Sequence, residues 1–287
     1  MTETAPRRVD AHQHFWDLSV RDQPWTAELP VLRRSFGPDD LLPALREHRV
    51  DGTILVQTVT VAEETSEFLA LALDHAEVLG VVGWVDLTRP DVADELARLR
   101  ALPGGERLVG IRHQVQGEPD SRWLMRDDVR RGLTAVGESG LVYELLVTHD
   151  QLPAAVEAVA SMPDLRWVLD HAGKPPIAAG ALNPWRSHIS ALAAHPGVAC
   201  KLTGLVTEAG QDWKVDDLRP YTSHVLEAFD PSRVMAGSDW PVCLLRTSYA
   251  GVVDLNDALI AELGSAELTE VLGGTAERWY GLISLVE

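Results

Sequence analysis

The chain is short of lysine, of cysteine and of long apolar runs, and each shortage removes a class of function. No run of about 18 apolar residues occurs anywhere in it, so no segment has the length to cross a bilayer as a helix. Residues 1–9 pass through Arg7 and Arg8 straight into polar, His-rich sequence. Without the apolar stretch of a secretory signal, the expected location is the cytosol. The two cysteines, Cys200 and Cys243, make no C-x-x-C pair; they suit a reducing compartment and say nothing further. Lysine is confined to Lys174, Lys201 and Lys214, and 43 acidic residues outweigh 25 Lys and Arg to give a formal net charge of −18. Phosphate contacts need clustered basic side chains, so neither nucleic acid nor an anionic membrane is an expected partner. The acidity itself reads as a solvated surface.

Short runs rich in Val, Ile and Leu recur with helical segments between them, the pattern of a parallel α/β fold. The strands are expected at Val9–His14, Thr53–Gln57, Leu79–Val85, Val109–His113, Leu141–Leu146, Trp167–His171, Val198–Leu202 and Val234–Asp239. Helices are expected at Asp39–Arg49, Thr65–Glu77, Pro90–Leu99, Val129–Ser139, Leu152–Ser161, Trp185–Ala194, Leu218–Phe229 and Asp254–Leu263, with a last one from Glu267 toward Tyr280. Eight such units suit one closed (β/α)8 TIM barrel. An open doubly wound sheet would want a glycine-rich phosphate turn after the first strand, and Val9–Phe15 contains no glycine. With no linker-like run, residues 1–287 read as a single domain.

Barrels of this kind place their active sites at the C-terminal strand ends. The first strand ends Asp10-Ala11-His12-Gln13-His14, and its period of two puts His12 and His14 on one face. The fourth ends Arg112-His113, the sixth Asp170-His171 followed by Lys174, and the eighth Gly237-Ser238-Asp239-Trp240; Lys201 lies in the seventh. Singly, each has an ordinary reading, such as a helix cap for Asp239. Together, the strand order brings His12, His14, His171 and Asp239 to one cavity.

The segments VDAHQHFWD (Val9–Asp17), VGWVDL (Val82–Leu87), VGIRHQVQ (Val109–Gln116), VLDHAGKPPI (Val168–Ile177), CKLTGLVTEA (Cys200–Ala209), AGSDWPVC (Ala236–Cys243) and GGTAERWYGL (Gly273–Leu282) carry a resemblance that runs from end to end. The chain resembles the amidohydrolase superfamily, and within it the branch of sugar lactonases that includes L-fuconolactonase and L-rhamnonolactonase. The resemblance implies a hydrolase that opens a small sugar lactone. It also exposes a departure. Many members bridge two metals with a Lys or Glu at strand four, where this chain has Arg112-His113, and carry a fifth-strand histidine, where it has Leu145-Leu146-Val147. His149 could supply that histidine or cap the next helix.

A two-metal site is therefore not expected. His12, His14, His171 and Asp239 offer donors for at most one divalent ion, zinc by type, and a metal-free route is also open because a lactone is an activated ester. In the expected reaction Asp239 takes a proton from the attacking water, its environment or a metal compensating for a carboxylate's weak basicity. His171 and the other histidines, with Arg112 and Lys201, would stabilise the oxyanion. Lys174, His113 and His149 are candidates for binding substrate, and Trp16, Trp213 and Trp240 for packing a sugar face, with core packing as their competing reading. Two rivals are a non-oxidative decarboxylase of the same superfamily and a barrel that binds a sugar acid without catalysis.

Overall fold

The structure, a computed structural model, describes residues 7–282. Its strands are β1 (Val9–Gln13), β2 (Gly52–Val56), β3 (Val78–Gly83), β4 (Leu108–His113), β5 (Val142–Leu145), β6 (Trp167–Leu169), β7 (Val198–Leu202) and β8 (Val234–Ala236). They pair in parallel, in chain order. Past the end of the β8 ladder, His14 N donates to Trp240 O (2.7 Å) and Asp239 N to His12 O (2.8 Å). These bonds bring β8 to β1 and close a (β/α)8 barrel.

Around it lie α1 (Pro38–Glu47), α2 (Ala62–Asp74), α3 (Val92–Arg100), α4 (Asp127–Glu138), α5 (Leu152–Ser161), α6 (Trp185–Ala193), α7 (Leu205–Glu208), α8 (Val215–Phe229), α9 (Tyr249–Ile260), α10 (Ser265–Thr269) and α11 (Thr275–Tyr280). None of the described helices is long and apolar enough to cross a membrane. Strands buried on both faces must be apolar on both, and two core layers result. Leu55, Val81, Tyr143 and Leu169 pack outward against helix residues such as Leu41, Leu69 and Leu133. Ile54, Val56, Val82, Val142, Val168 and Met235 fill the barrel interior, where Ala276 and Tyr280 of α11 join them. Each fully buried leucine or valine contributes roughly 1.5–3 kcal/mol.

All eight expected strands are present, but most end short of the expected residue, β3 and β6 by two and β8 by three. His171 and Ala172 adopt φ of 53° and 50°, and Asp239 φ of 55°, so β6 and β8 leave strand geometry just where the site begins. The register of β1 slips between Asp10 and Gln13. Ala11 lies in the interior layer, yet His12 also points inward, a bulge that simple alternation did not foresee. The expected final helix is interrupted by a π turn at Glu270–Gly274. There Gly273 backs onto the chain's start, and an added Cβ would stand 2.2 Å from Arg7 O.

Candidate active site

At the C-terminal mouth, donor atoms of His12, His171 and Asp239 lie within 4.8 Å of one another, all buried. His14 completes the group, its Nε2 3.2 Å from His12 Nε2 and 3.4 Å from Asp239 Oδ1. His14 Nδ1 donates to Val56 O (2.8 Å), which turns Nε2 toward the site. His171 Nδ1 pairs with Thr203 Oγ1 at 2.7 Å and likewise turns Nε2 inward. Of the six described non-glycine residues with positive φ, four are His171, Ala172, Lys174 and Asp239. Such backbone costs of order 1–3 kcal/mol per residue and persists where surroundings enforce it. Gly204 shows the tightness: at φ +64°, a Cβ there would meet His171 Nδ1 at 2.8 Å and Asp239 Oδ2 at 3.2 Å.

Beneath these groups lies a fully buried charged layer. Lys201 Nζ is 2.7 Å from Glu144 Oε1, 3.4 Å from Asp170 Oδ1 and 3.1 Å from His12 Nδ1. Arg112 Nη1 reaches Asp170 Oδ2 (3.0 Å) and His12 Nε2 (3.2 Å), while its other nitrogens bond Gln57. From below, Tyr280 of α11 donates its hydroxyl to Glu144. Burial pushes the Glu144 carboxyl up to about 7. Burial also works to raise Asp170, but Lys201, His12 and Arg112 hold it well below the usual range. Two cations and two carboxylates thus satisfy one another out of water, an arrangement that loses about 3–5 kcal/mol when one partner is removed.

The same burial works against a positive charge on two of the imidazoles. His12 is driven well below the ordinary histidine value by burial and then by Lys201, and His171 falls to about 4, chiefly through burial. Burial would raise Asp239, but His171, His14 and His12 outweigh it and hold the carboxyl below its usual value. The expectation that its surroundings raise it is therefore corrected: the Asp239 carboxyl is held down, with His171, His14 and His12 arrayed around it.

Above this floor opens a cavity of about 400 Å³, the size of a small-ligand site. His14, Arg112, His171, Lys174 and Asp239 line it as expected. Lys201 does face the barrel axis, but at 0% exposure its ammonium lies on Glu144 beneath His12, away from the cavity. His113 points into the outer layer, stacked on Trp123 (4.1 Å) and bonded to Trp84 and Glu118. His149 opens a short turn after β5, pairs with Asp150 at 3.0 Å and stands near enough to Glu208 of the cavity wall to act on it by charge, but is not among the lining residues. Trp16 and Trp240 pack on Phe36 in the core, and Trp213 packs against the core as well. None of these three tryptophans lines the cavity; burial of their large apolar rings won. Sequence reasoning missed Trp25, Gln114, Gln116 and Glu208 on the cavity wall, and Asp170 and Glu144 beneath it. Asp170 stood beside His171 in the motif, and Glu144 was an acidic residue inside an apolar strand, a signal that was readable.

The donor set fits one divalent ion. Asp170 Oδ1, 3.3 Å from His12 Nδ1 and otherwise without a hydrogen-bond partner, can accept that N–H and free His12 Nε2 as a ligand, the usual outer support of a ligating histidine. A second ion has no place, because the ammonium of Lys201 sits among Glu144, Asp170 and His12.

Comparison with known proteins agrees with this geometry. L-fucono-1,5-lactonase from Burkholderia multivorans is 43% identical to the chain, each covered over 96% of its length. L-fucono-1,5-lactonase from Burkholderia ambifaria is 38% identical, with 95% of each covered. A crystal structure of a Burkholderia multivorans amidohydrolase with bound zinc superposes with a TM-score of 0.90 at 40% identity, over 96% of this chain and 99% of that one. The family model described as amidohydrolase matches residues 9–282, and the chain belongs to that family.

Proposed function

We propose that the protein is a lactonase, hydrolysing the ester bond of a sugar lactone of the L-fucono-1,5-lactone type to the open sugar acid. The observation that carries this reading is the 43% identity, over nearly the whole of both chains, to an L-fucono-1,5-lactonase. The geometry supports it. Water attacks the ring carbonyl, the bond from that carbon to the ring oxygen breaks, and the products are a carboxylic acid and a hydroxyl. Asp239 holds the water, takes its proton and passes it to the leaving ring oxygen; the inward Nε2 atoms of His171 and His14 orient the water beside it. Arg112 adds its positive field from the floor. Lys201 acts through Asp170, which it holds beside the His12 ring, and Lys174 receives the product carboxylate. An ion such as zinc, held by His12, His14, His171 and Asp239, would act as a Lewis acid on the carbonyl or acidify the water.

The test is a panel of aldonolactones, including L-fucono- and L-rhamnonolactone, with acid release followed by a pH indicator. Turnover above the spontaneous rate is expected. A protein that left every lactone untouched but released CO2 from an aromatic acid would be a decarboxylase, and one that bound sugar acids without turnover a sensor. We place the reaction in the cytosol, which would keep the free, buried Cys200 and Cys243 reduced; cell fractionation tests this.

A further inference from the structure

The cavity has two unlike walls. Toward β8 and β1, which adjoin, stand Trp25, Leu29, Val242 and Leu245; toward the ends of β4 to β7 stand Gln114, Gln116, Lys174 and Glu208. A polyhydroxylated ring lactone has the matching asymmetry, with C–H bonds on its faces and hydroxyls at its edge. Trp25 stands out within the apolar wall. The residue is 38% exposed, in contrast to the buried Trp16 at 5%, against which its ring packs edge-on at 5.4 Å.

Trp25 is also held by a directed chain of hydrogen bonds. Its Nε1 donates to Gln23 Oε1 (2.8 Å), and Gln23 Nε2 donates to Thr58 Oγ1 (2.7 Å). The Thr58 hydroxyl in turn donates to Glu64 of α2. Glu64 accepts also from the backbone N–H groups of Thr58 (2.8 Å) and Val59 (3.3 Å). Every link has one sense only, since a tryptophan donates and a carboxylate accepts. Gln23, Thr58 and Glu64 are 1%, 2% and 2% exposed, so water does not compete for these bonds. The backbone oxygen of Thr58 also accepts from Gln114 Nε2 (2.8 Å), which ties the polar wall to the same anchor. A loop side chain that merely covered the mouth would need no such chain.

We propose that Trp25 is the binding platform for the apolar face of the lactone ring, oriented by Glu64 through Thr58 and Gln23, with the ring's hydroxyls directed to Gln114 and Gln116. Glu64, Thr58 and Gln23 are positioning residues. This assignment rests on the lactonase reading and names what that site recognises: a ring with one exposed C–H face and a hydroxylated edge.

The test is KM against kcat for L-fuconolactone hydrolysis. Trp25→Ala should raise KM about tenfold or more with kcat kept within about threefold, the mark of lost ground-state binding. Trp25→Phe restores an aromatic face and should bring KM back to within about threefold of the starting protein, while Gln23→Leu, which cuts the tether and spares the ring, should fall between. An unchanged KM in Trp25→Ala, or equal damage from Phe and Ala, overturns the platform. A second reading uses no turnover: L-fuconate should change the tryptophan emission of the unaltered protein and not that of Trp25→Phe. A Trp25-dependent emission change without lactone turnover sinks the lactonase reading and keeps the platform. Turnover without any effect of Trp25 does the reverse.

Discussion

The floor of the cavity and its rim are built from different material. On the floor, His12, Arg112, Glu144 and Lys201 project from strands β1, β4, β5 and β7 and are buried among one another. On the rim, Trp25, Gln114, Lys174 and Glu208 come from segments that follow strands, and Lys174 and Glu208 keep 24% and 28% of their side chains exposed. Charges on the floor have traded water for each other and cannot be removed singly without exposing that debt, whereas those on the rim still share theirs with solvent. The difference separates chemistry from recognition: the floor is rigid and chemically committed, and the rim can vary without endangering the fold.

The sharpest way to break that division is at Asp239, where the floor meets the reactants. Asparagine keeps the shape and tolerates the left-handed backbone found there, φ 55°, but cannot take a proton. Asp239→Asn should fold and still bind L-fuconate while kcat falls by roughly 10² to 10⁴. A folded variant with near-normal kcat would reduce Asp239 to a backbone device at the end of β8.

Next in size is the contrast between two lysines. Lys201→Met takes from Glu144 the cation paired with it, leaving it the Tyr280 hydroxyl, and leaves Asp170 to Arg112; unfolding titrations should show a loss of about 3–5 kcal/mol. Lys174→Met removes a partner 3.7 Å from Glu208 at the half-exposed rim and should cost less than about 1 kcal/mol. Equal losses would mean that the buried layer is not the structural unit described above.

The two regions also differed in how well the sequence announced them. Strand existence was readable because β2 and β3 must be apolar on both faces, and polar residues at the ends of such runs elsewhere, His12, Arg112, His171 and Asp239, had only the mouth to point into. Orientation was less readable. Lys201 was expected in the pocket against substrate, but its depth depends on Glu144, whose partner is Tyr280, 136 residues further on. Local pattern carries no information about such a distant pairing. At the rim, Trp25 lay in a segment with no periodicity, and Trp16 and Trp240, which the motifs highlighted, proved to be the packing behind it. Strand alternation fixes direction; loops have no equivalent rule.

Acid should weaken the floor before it touches the rim. The pKa of His171 is about 4 in the folded chain against an ordinary 6.5, and that of His12 moves the same way. Between these values the unfolded chain binds the proton that the fold refuses, so stability is complete above about pH 6.5 and declines as pH falls toward 4. The slope approaches about 1.4 kcal/mol per pH unit for each such histidine, and Glu144, raised to about 7, offsets one of the two over the same window, leaving a net decline from the pair. Melting curves of chelator-treated protein should show this decline, and His171→Gln should flatten part of it. A melting temperature constant from pH 6.5 to 4.5 would mean that the imidazoles are protonated in the fold.

The smallest effect expected concerns the rim alone. The lactone is neutral and the product an anion, so one pocket has to accept the first and let go of the second. Lys174, proposed to receive the new carboxylate, already has Glu208 at 3.7 Å, too far for a firm hydrogen bond. Product and Glu208 therefore compete for one ammonium, and Asp239 adds a second negative charge on the same cavity. Glu208→Gln removes the competitor and keeps the size. Screened, part-exposed pairs are worth up to about 1 kcal/mol, which converts to a product inhibition constant lowered by about three- to fivefold, with the KM for the uncharged lactone shifted by less than about twofold. Inhibition of lactone hydrolysis by added L-fuconate measures both numbers in one experiment. If KM and the inhibition constant moved together, Glu208 would be contacting sugar hydroxyls common to both, and the rim would be reading the ring and not its charge.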